Sequence, residues 1–159
     1  MEVNNILCGD AVDMLKALPD ESIHCCATSP PYFGLRDYGE AGQIGREHTP
    51  DEYISRLVEV FREVRRALVP GGTCWINMAD SYAARTMKSQ QIKVKDMLGI
   101  PWMRAFALRN DEWFLRSDII WRKLNAMPHS VKDRPVNCYE NVFLLAKSQR
   151  YFFEYTALQ

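Results

Sequence analysis

The sequence has no long apolar run, no cysteine framework and no dominant sign of charge. Its longest uncharged stretch, Ser22 to Leu35, holds 14 residues, two of them proline. A bilayer-spanning helix needs about 20 apolar residues, so none is expected. The opening residues Met1-Glu2-Val3-Asn4-Asn5 lack the basic start of a signal peptide, which predicts a cytoplasmic protein. The five cysteines (Cys8, Cys25, Cys26, Cys74 and Cys138) are odd in number and contain no C-x-x-C pair. A disulfide framework and a zinc site are therefore both disfavoured, and reduced thiols are expected. His24, His48 and His129 are scattered without ligand spacing, so each reads as structural and no metal is expected. Repeats, low-complexity tracts and linkers are missing as well.

What remains is an ordinary globular composition. Of 159 residues, 47% are hydrophobic and 25% charged, which excludes disorder, collagen and coiled coil and suggests one domain. The net charge of zero hides a split. Residues 1–60 carry 11 acids and 4 bases, a net of −7, and residues 61–159 carry 9 acids and 16 bases, a net of +7. Such a split fits a polyanion met by one face, and equally a solvated surface with uneven charge.

Local patterns predict alternating strands and helices. Ile6-Leu7-Cys8 reads as a strand running into Gly9-Asp10, where Asp10 caps a helix with Ala11, Met14, Leu15 and Leu18 at helical spacing. Ser22–Thr28, between Pro-Asp and Pro-Pro, reads as a buried central strand that places Cys25 and Cys26 in the core. Residues 29–48 read as loop. Thr49-Pro50-Asp51-Glu52 is a capping box with proline at the first helical position, and Ile54, Leu57, Val58, Phe61, Val64 and Leu68 follow at helical spacing. Pro70-Gly71-Gly72 stops that helix before a strand over Thr73–Met78, and residues 79–95 read as a mobile loop. A helix is predicted near Pro101–Asn110 and a strand near Trp113–Trp121, with Trp102, Trp113 and Trp121 in the core. Two short strands, Asn141–Ala146 and Tyr151–Phe153, close the chain as a hairpin. The expectation is an α/β domain with a mainly parallel sheet, in which ligands sit beyond the carboxyl ends of the strands. That rim would carry Asp10, the Ser29 loop and residues 77–81.

Thr28-Ser29-Pro30-Pro31-Tyr32 is the most informative segment. Two prolines hold the backbone extended and remove two N–H donors, so the Ser29 and Pro30 carbonyls face a ligand as acceptors. With the Ser29 hydroxyl and the Tyr32 ring, the set suits a planar group bearing an NH2. Taken alone, Pro-Pro also serves merely to end a strand.

In context the segment resembles the amino-methylating DNA methyltransferases, and most closely their permuted β-type group. The likeness continues through Phe33-Gly34-Leu35-Arg36-Asp37-Tyr38-Gly39, Gly42-Gln43-Ile44-Gly45 and Leu68-Val69-Pro70-Gly71-Gly72. It takes in Asp80-Ser81-Tyr82, Gly99-Ile100-Pro101-Trp102, Leu115–Trp121, Asn125-Ala126-Met127-Pro128, Asp133-Arg134-Pro135 and Val142–Ser148. It covers about 140 residues in the family's order.

The resemblance implies a Rossmann-like sheet and S-adenosylmethionine as methyl donor to a base flipped out of double-stranded DNA. It implies that Ser29 and the Pro30 carbonyl hold the exocyclic amine, that Pro31 keeps the loop rigid and that Tyr32 stacks on the base. Asp10 and Thr28 would contact the cofactor, Asp10 also being the helix cap. Arg36, Lys88, Lys93 and Asn125 would approach DNA, with Arg85 and Lys95 near phosphates. Neither Cys25 nor Cys26 is needed as a nucleophile. Serine before Pro-Pro-Tyr favours cytosine N4 over adenine N6.

The chain also departs from the family. Complete members continue into a target-recognition region and a glycine-rich F-x-G-x-G cofactor motif, which none of the eight glycines forms. Members often have histidine before the glutamate of Asn137-Cys138-Tyr139-Glu140, and proline where Leu124 stands. Residues 1–159 therefore read as a single, partial catalytic domain. Either a second polypeptide or homo-oligomer completes the enzyme, or the fragment binds DNA or a partner without catalysis.

Overall fold

The computed structural model describes residues 4–84, 92–126 and 130–158. Asp10 caps α1 (Ala11–Lys16) as expected, its Oδ1 accepting from the N–H groups of Val12 at 2.9 Å and Asp13 at 3.3 Å. Helix α2 (Pro50–Ala67) starts at Thr49, whose Oγ1 accepts the Glu52 N–H at 3.0 Å, while the Glu52 carboxylate reaches back to the His48 N–H. Its face of Tyr53, Ile54, Leu57, Phe61, Val64 and Ala67 is buried at the spacing the sequence shows. Arg66 fastens α1 to the end of α2 by donating to the Leu15 and Leu18 carbonyls at 2.8 and 3.0 Å. Helix α3 (Ile100–Asn110) completes the helical layer. The Asp80 carboxylate accepts from the N–H groups at its start, those of the capping Gly99 and of Ile100, at 3.0 Å each.

Four strands form one sheet in the order β1-β2-β4-β3: β1 (Ile23–Thr28), β2 (Leu68–Met78), β3 (Phe114–Arg122) and β4 (Tyr139–Ala146). β1 and β2 are parallel, and β4 opposes both β2 and β3. Three of the four strands thus point the same way, and the reversed β4 lies between two of them. The sheet is mixed in its pairing. Cys74, Ile76 and Met78 of β2 with Phe143 and Leu145 of β4 face the helices and form the core with Tyr53, Leu57, Phe61 and Leu108.

Five local expectations give way. Ile6–Cys8 is not a strand: among the described residues β1 has only β2 beside it, none pairs with residues 5–8, and Ile6 is 93% exposed. β1 is accordingly an edge strand, not a central one, so Cys25 is exposed and Cys26 half-buried rather than both in the core. Pro70-Gly71-Gly72 does not precede the strand but lies within it. Two steps of β1, Ile23 to Cys25, oppose five of β2, Leu68 to Thr73, so these residues bulge out of the ladder. Tyr151–Phe153 forms no strand because it meets β2 at that bulge, where the Phe152 N–H to Gly71 carbonyl bond of 3.2 Å has no ladder to extend. The antiparallel pair near the C-terminus is β3 with β4. Finally, Trp113 is buried, but Trp102 and Trp121 are 42% and 54% exposed. Trp102 of α3 keeps one edge on the core, its ring meeting Phe143 at 5.0 Å between centroids, and β3 is the other edge strand.

Candidate active site

The Ser29–Tyr32 loop leaves the carboxyl end of β1 beside the carboxyl end of β2, at the rim where an α/β sheet presents its ligands. Two anchors fix it. On the helical side the buried Tyr53 hydroxyl of α2 donates to the Pro31 carbonyl at 2.8 Å. Burial pushes the Tyr53 phenol well above its ordinary range, so it stays a donor. From below, the Gly45 backbone presses against the loop: a Cβ there would come within 2.9 Å of the Tyr32 carbonyl oxygen, at φ +98°. The Ser81 hydroxyl adds a bond to the Phe33 carbonyl at 3.3 Å. Pro31 is thus rigidly held, while no hydrogen bond of the described residues ends on the Pro30 carbonyl.

Tyr32 reaches the other way. Its hydroxyl accepts from Ser29 Oγ at 3.1 Å and from Asn77 Nδ2 at 3.1 Å, and donates to Glu140 Oε2 at 2.9 Å. Asn77 Nδ2 also donates to the same Glu140 oxygen at 2.6 Å, and Lys123 pairs with the second oxygen. Alternation along β2 and β4 puts Asn77 and Glu140 on the face away from the helices. Burial would raise the Glu140 carboxyl, but hydrogen bonds from Lys123, Asn77 and Tyr32 outweigh it and hold the carboxyl below the usual range. Burial, followed by the Glu140 charge and against the Ser29 bond, raises the Tyr32 phenol. At neutral pH the cluster therefore holds a carboxylate and a protonated phenol.

Arg104 of α3 is fully buried behind the loop. Its guanidinium lies 5.4 Å from the Phe143 ring centroid, with Nη1 3.5 Å from the Met78 sulfur that also faces Tyr53 Oη. Nε and Nη2 have no partner among the described residues, and burial lowers its pKa to about 10, which leaves it charged.

Of the residues singled out in the sequence, Ser29, Pro30, Pro31 and Tyr32 form this site, and Thr28 stands at its base in register with Ile76. Asp10 is exposed, and its described bonds serve α1 alone, with Oδ2 left unused. Arg36, Lys93 and Asn125 lie in loops, and Arg85 and Lys88 lie outside the described residues. Sequence reasoning placed Asn77 on the rim without a role, and assigned none to Glu140 or Lys123. Glu140 is 108 positions from Tyr32, and only the pairing of β4 with β2 brings them together.

The family model for N6/N4 DNA methylases matches residues 23–159. The chain belongs to that family. It is 44% identical over 170 residues to the Type II methyltransferase M.Cfr9I of Citrobacter freundii, covering 95% of the chain and 57% of the relative. M.SmaI of Serratia marcescens is 43% identical, with coverage of 97% and 59%. The chain thus spans less than two thirds of these relatives. Among solved structures, TTHA0409 of Thermus thermophilus complexed with S-adenosyl-L-methionine superposes with a TM-score of 0.67 at 26% identity, over 92% of this chain and 54% of that one. The cytosine-N4-specific PvuII DNA methyltransferase shares the fold, with a TM-score of 0.72 at 18% identity over 94% and 51%.

Proposed function

We propose that residues 1–159 form the catalytic-motif portion of a DNA amino-methyltransferase. The portion would hold the exocyclic amine of a flipped base in line with the methyl of S-adenosylmethionine. The unclaimed Pro30 carbonyl beside the exposed Ser29 hydroxyl, on a loop pinned by Tyr53 and Gly45, carries this reading. An exocyclic amine is a weak nucleophile because its lone pair is delocalised into the ring. Two fixed acceptors orient its N–H groups and turn that lone pair toward the electrophile. Tyr32, tied at its hydroxyl, offers its ring to the base, and Pro31 keeps the acceptors in place. S-adenosylmethionine supplies a sulfonium methyl. Asp10, with one carboxylate oxygen unused, fits the hydroxyls of its adenosyl part, and Thr28 lines the approach.

Serine at position 29 favours cytosine N4; adenine N6 is the alternative within the same chemistry. Arg36, Lys93 and Asn125, with Lys88, form the proposed DNA approach, in the cytoplasm. A second polypeptide or homo-oligomer would supply the glycine-rich cofactor motif that is missing from these residues.

Isothermal calorimetry with S-adenosylmethionine, in the presence and absence of duplex DNA, tests the reading. Heat of binding, diminished in Asp10→Asn and retained in Ser29→Ala, is expected. No binding under either condition would sink autonomous catalysis and favour a non-catalytic binding module.

A further inference from the structure

Methylating an exocyclic amine leaves one proton too many on nitrogen, and the rim provides a way out for it. Ser29 is exposed, Tyr32 half-buried and Glu140 buried, and their oxygens follow one another at 3.1 and 2.9 Å with each hydroxyl donating inward. We infer that Ser29, Tyr32 and Glu140 form a proton relay that ends on the Glu140 carboxylate. This rests on the reading that Ser29 holds the amine.

The step balances. As the N–C bond forms and the C–S bond breaks, the bonding pair goes to sulfur and the sulfonium donor leaves as a neutral thioether. The methylated nitrogen, now positive, gives its proton to Ser29 Oγ. The Ser29 proton passes to Tyr32 Oη, and the Tyr32 proton to Glu140 Oε2. Glu140 thus gains the proton that the base loses. An exocyclic nitrogen whose lone pair has left conjugation is a strong acid, so even a carboxylate held below its usual range accepts from it. Lys123 and Asn77 keep Glu140 ionised before the reaction. Asn77 Nδ2 also donates to the Tyr32 oxygen, so that this oxygen accepts from Ser29 and Asn77 while its own proton goes to Glu140. A Ser29 hydroxyl without this chain behind it would have only bulk water to pass the proton to.

Two measurements test the relay. In the first, single-turnover methylation of duplex DNA is followed from pH 5 to 9 at saturating methyl donor for wild type, Glu140→Gln, Glu140→Asp, Tyr32→Phe and Glu140→Gln/Tyr32→Phe. Each of Glu140→Gln and Tyr32→Phe should lose about 100-fold in the single-turnover rate constant with the half-saturating DNA concentration unchanged, the size of a proton-transfer contribution. The double variant should be no worse than either single, and Glu140→Asp should recover part of the loss. In the second, the Tyr32 phenol is titrated by NMR with ring-labelled tyrosine, assigned through Tyr32→Phe. Its titration should move down in Glu140→Gln while the melting temperature stays close to wild type. A wild-type rate constant in both single variants, or losses that multiply in the double variant, would overturn the relay. A wild-type protein that methylates no DNA even when completed by the polypeptide that carries the glycine-rich motif overturns the functional reading beneath it. In that case the Tyr32 titration still reports whether the hydrogen-bonded chain exists.

Discussion

At the scale of single residues, the site depends on a few contacts that leave the loop no freedom. Gly45 combines a left-handed backbone with a close approach to Tyr32. Gly45→Ala should displace Tyr32 and cost about 1 kcal/mol or more in stability, read as a lower urea midpoint together with reduced methyl transfer. Glu140 gives a pH signature. Its folded value is depressed, so its contribution is complete above the ordinary carboxylate range and is lost as pH falls through the lower folded value. Stability followed from pH 7 down to 3 should therefore fall less steeply in Glu140→Gln than in wild type; parallel curves would contradict the Lys123–Glu140 pairing. The Ser-Pro-Pro-Tyr loop was legible in the sequence because its chemistry is contiguous. The rim position of Asn77 was legible too, but its meeting with Glu140 and Lys123 was not, since that comes only through strand register.

Among the elements, α2 was the most legible, since its cap, its first-turn proline and its apolar spacing all agree. Thr49→Ala should cost about 1 kcal/mol through the lost cap bond, read as a lower melting temperature with methyl transfer at 25 °C retained. α3 holds a less obvious feature, the unpaired Arg104 in an apolar setting. A buried charge replaced by a hydrophobic group of similar length is often neutral or stabilising. Arg104→Met should therefore equal or exceed wild type in thermal melts, whereas Arg104→Ala should fall below it by leaving a cavity. If Arg104→Met were strongly destabilised, the guanidinium would be making bonds beyond its contact with Met78. Ile6–Cys8 and Tyr151–Phe153 misled because an apolar run becomes a strand only where it lies in register along a regular strand edge. The first has no partner, and the second meets β2 at a bulge.

Across the whole molecule, the helices cover one face of the sheet and leave the other largely open. Ile119 and Trp121 on β3, with Phe152 and Phe153 after β4, stand in solvent, and Phe152 and Phe153 border a hollow of about 630 Å³ beside Cys25, Thr73 and Trp75. The α/β class and the rim were readable from the alternation of strands and helices; the sheet order and its open face were not, because pairing is not written in local pattern. The central claim is that the rim at Ser29–Tyr32 presents an exocyclic amine for methylation. The most direct test is to incubate DNA with the protein and methyl-labelled S-adenosylmethionine, digest it and identify the labelled nucleoside by mass. N4-methylcytosine is predicted, and Ser29→Ala should abolish it. N6-methyladenine would move the amine to the other base, and label on carbon 5 of cytosine, or none in DNA, would contradict the claim.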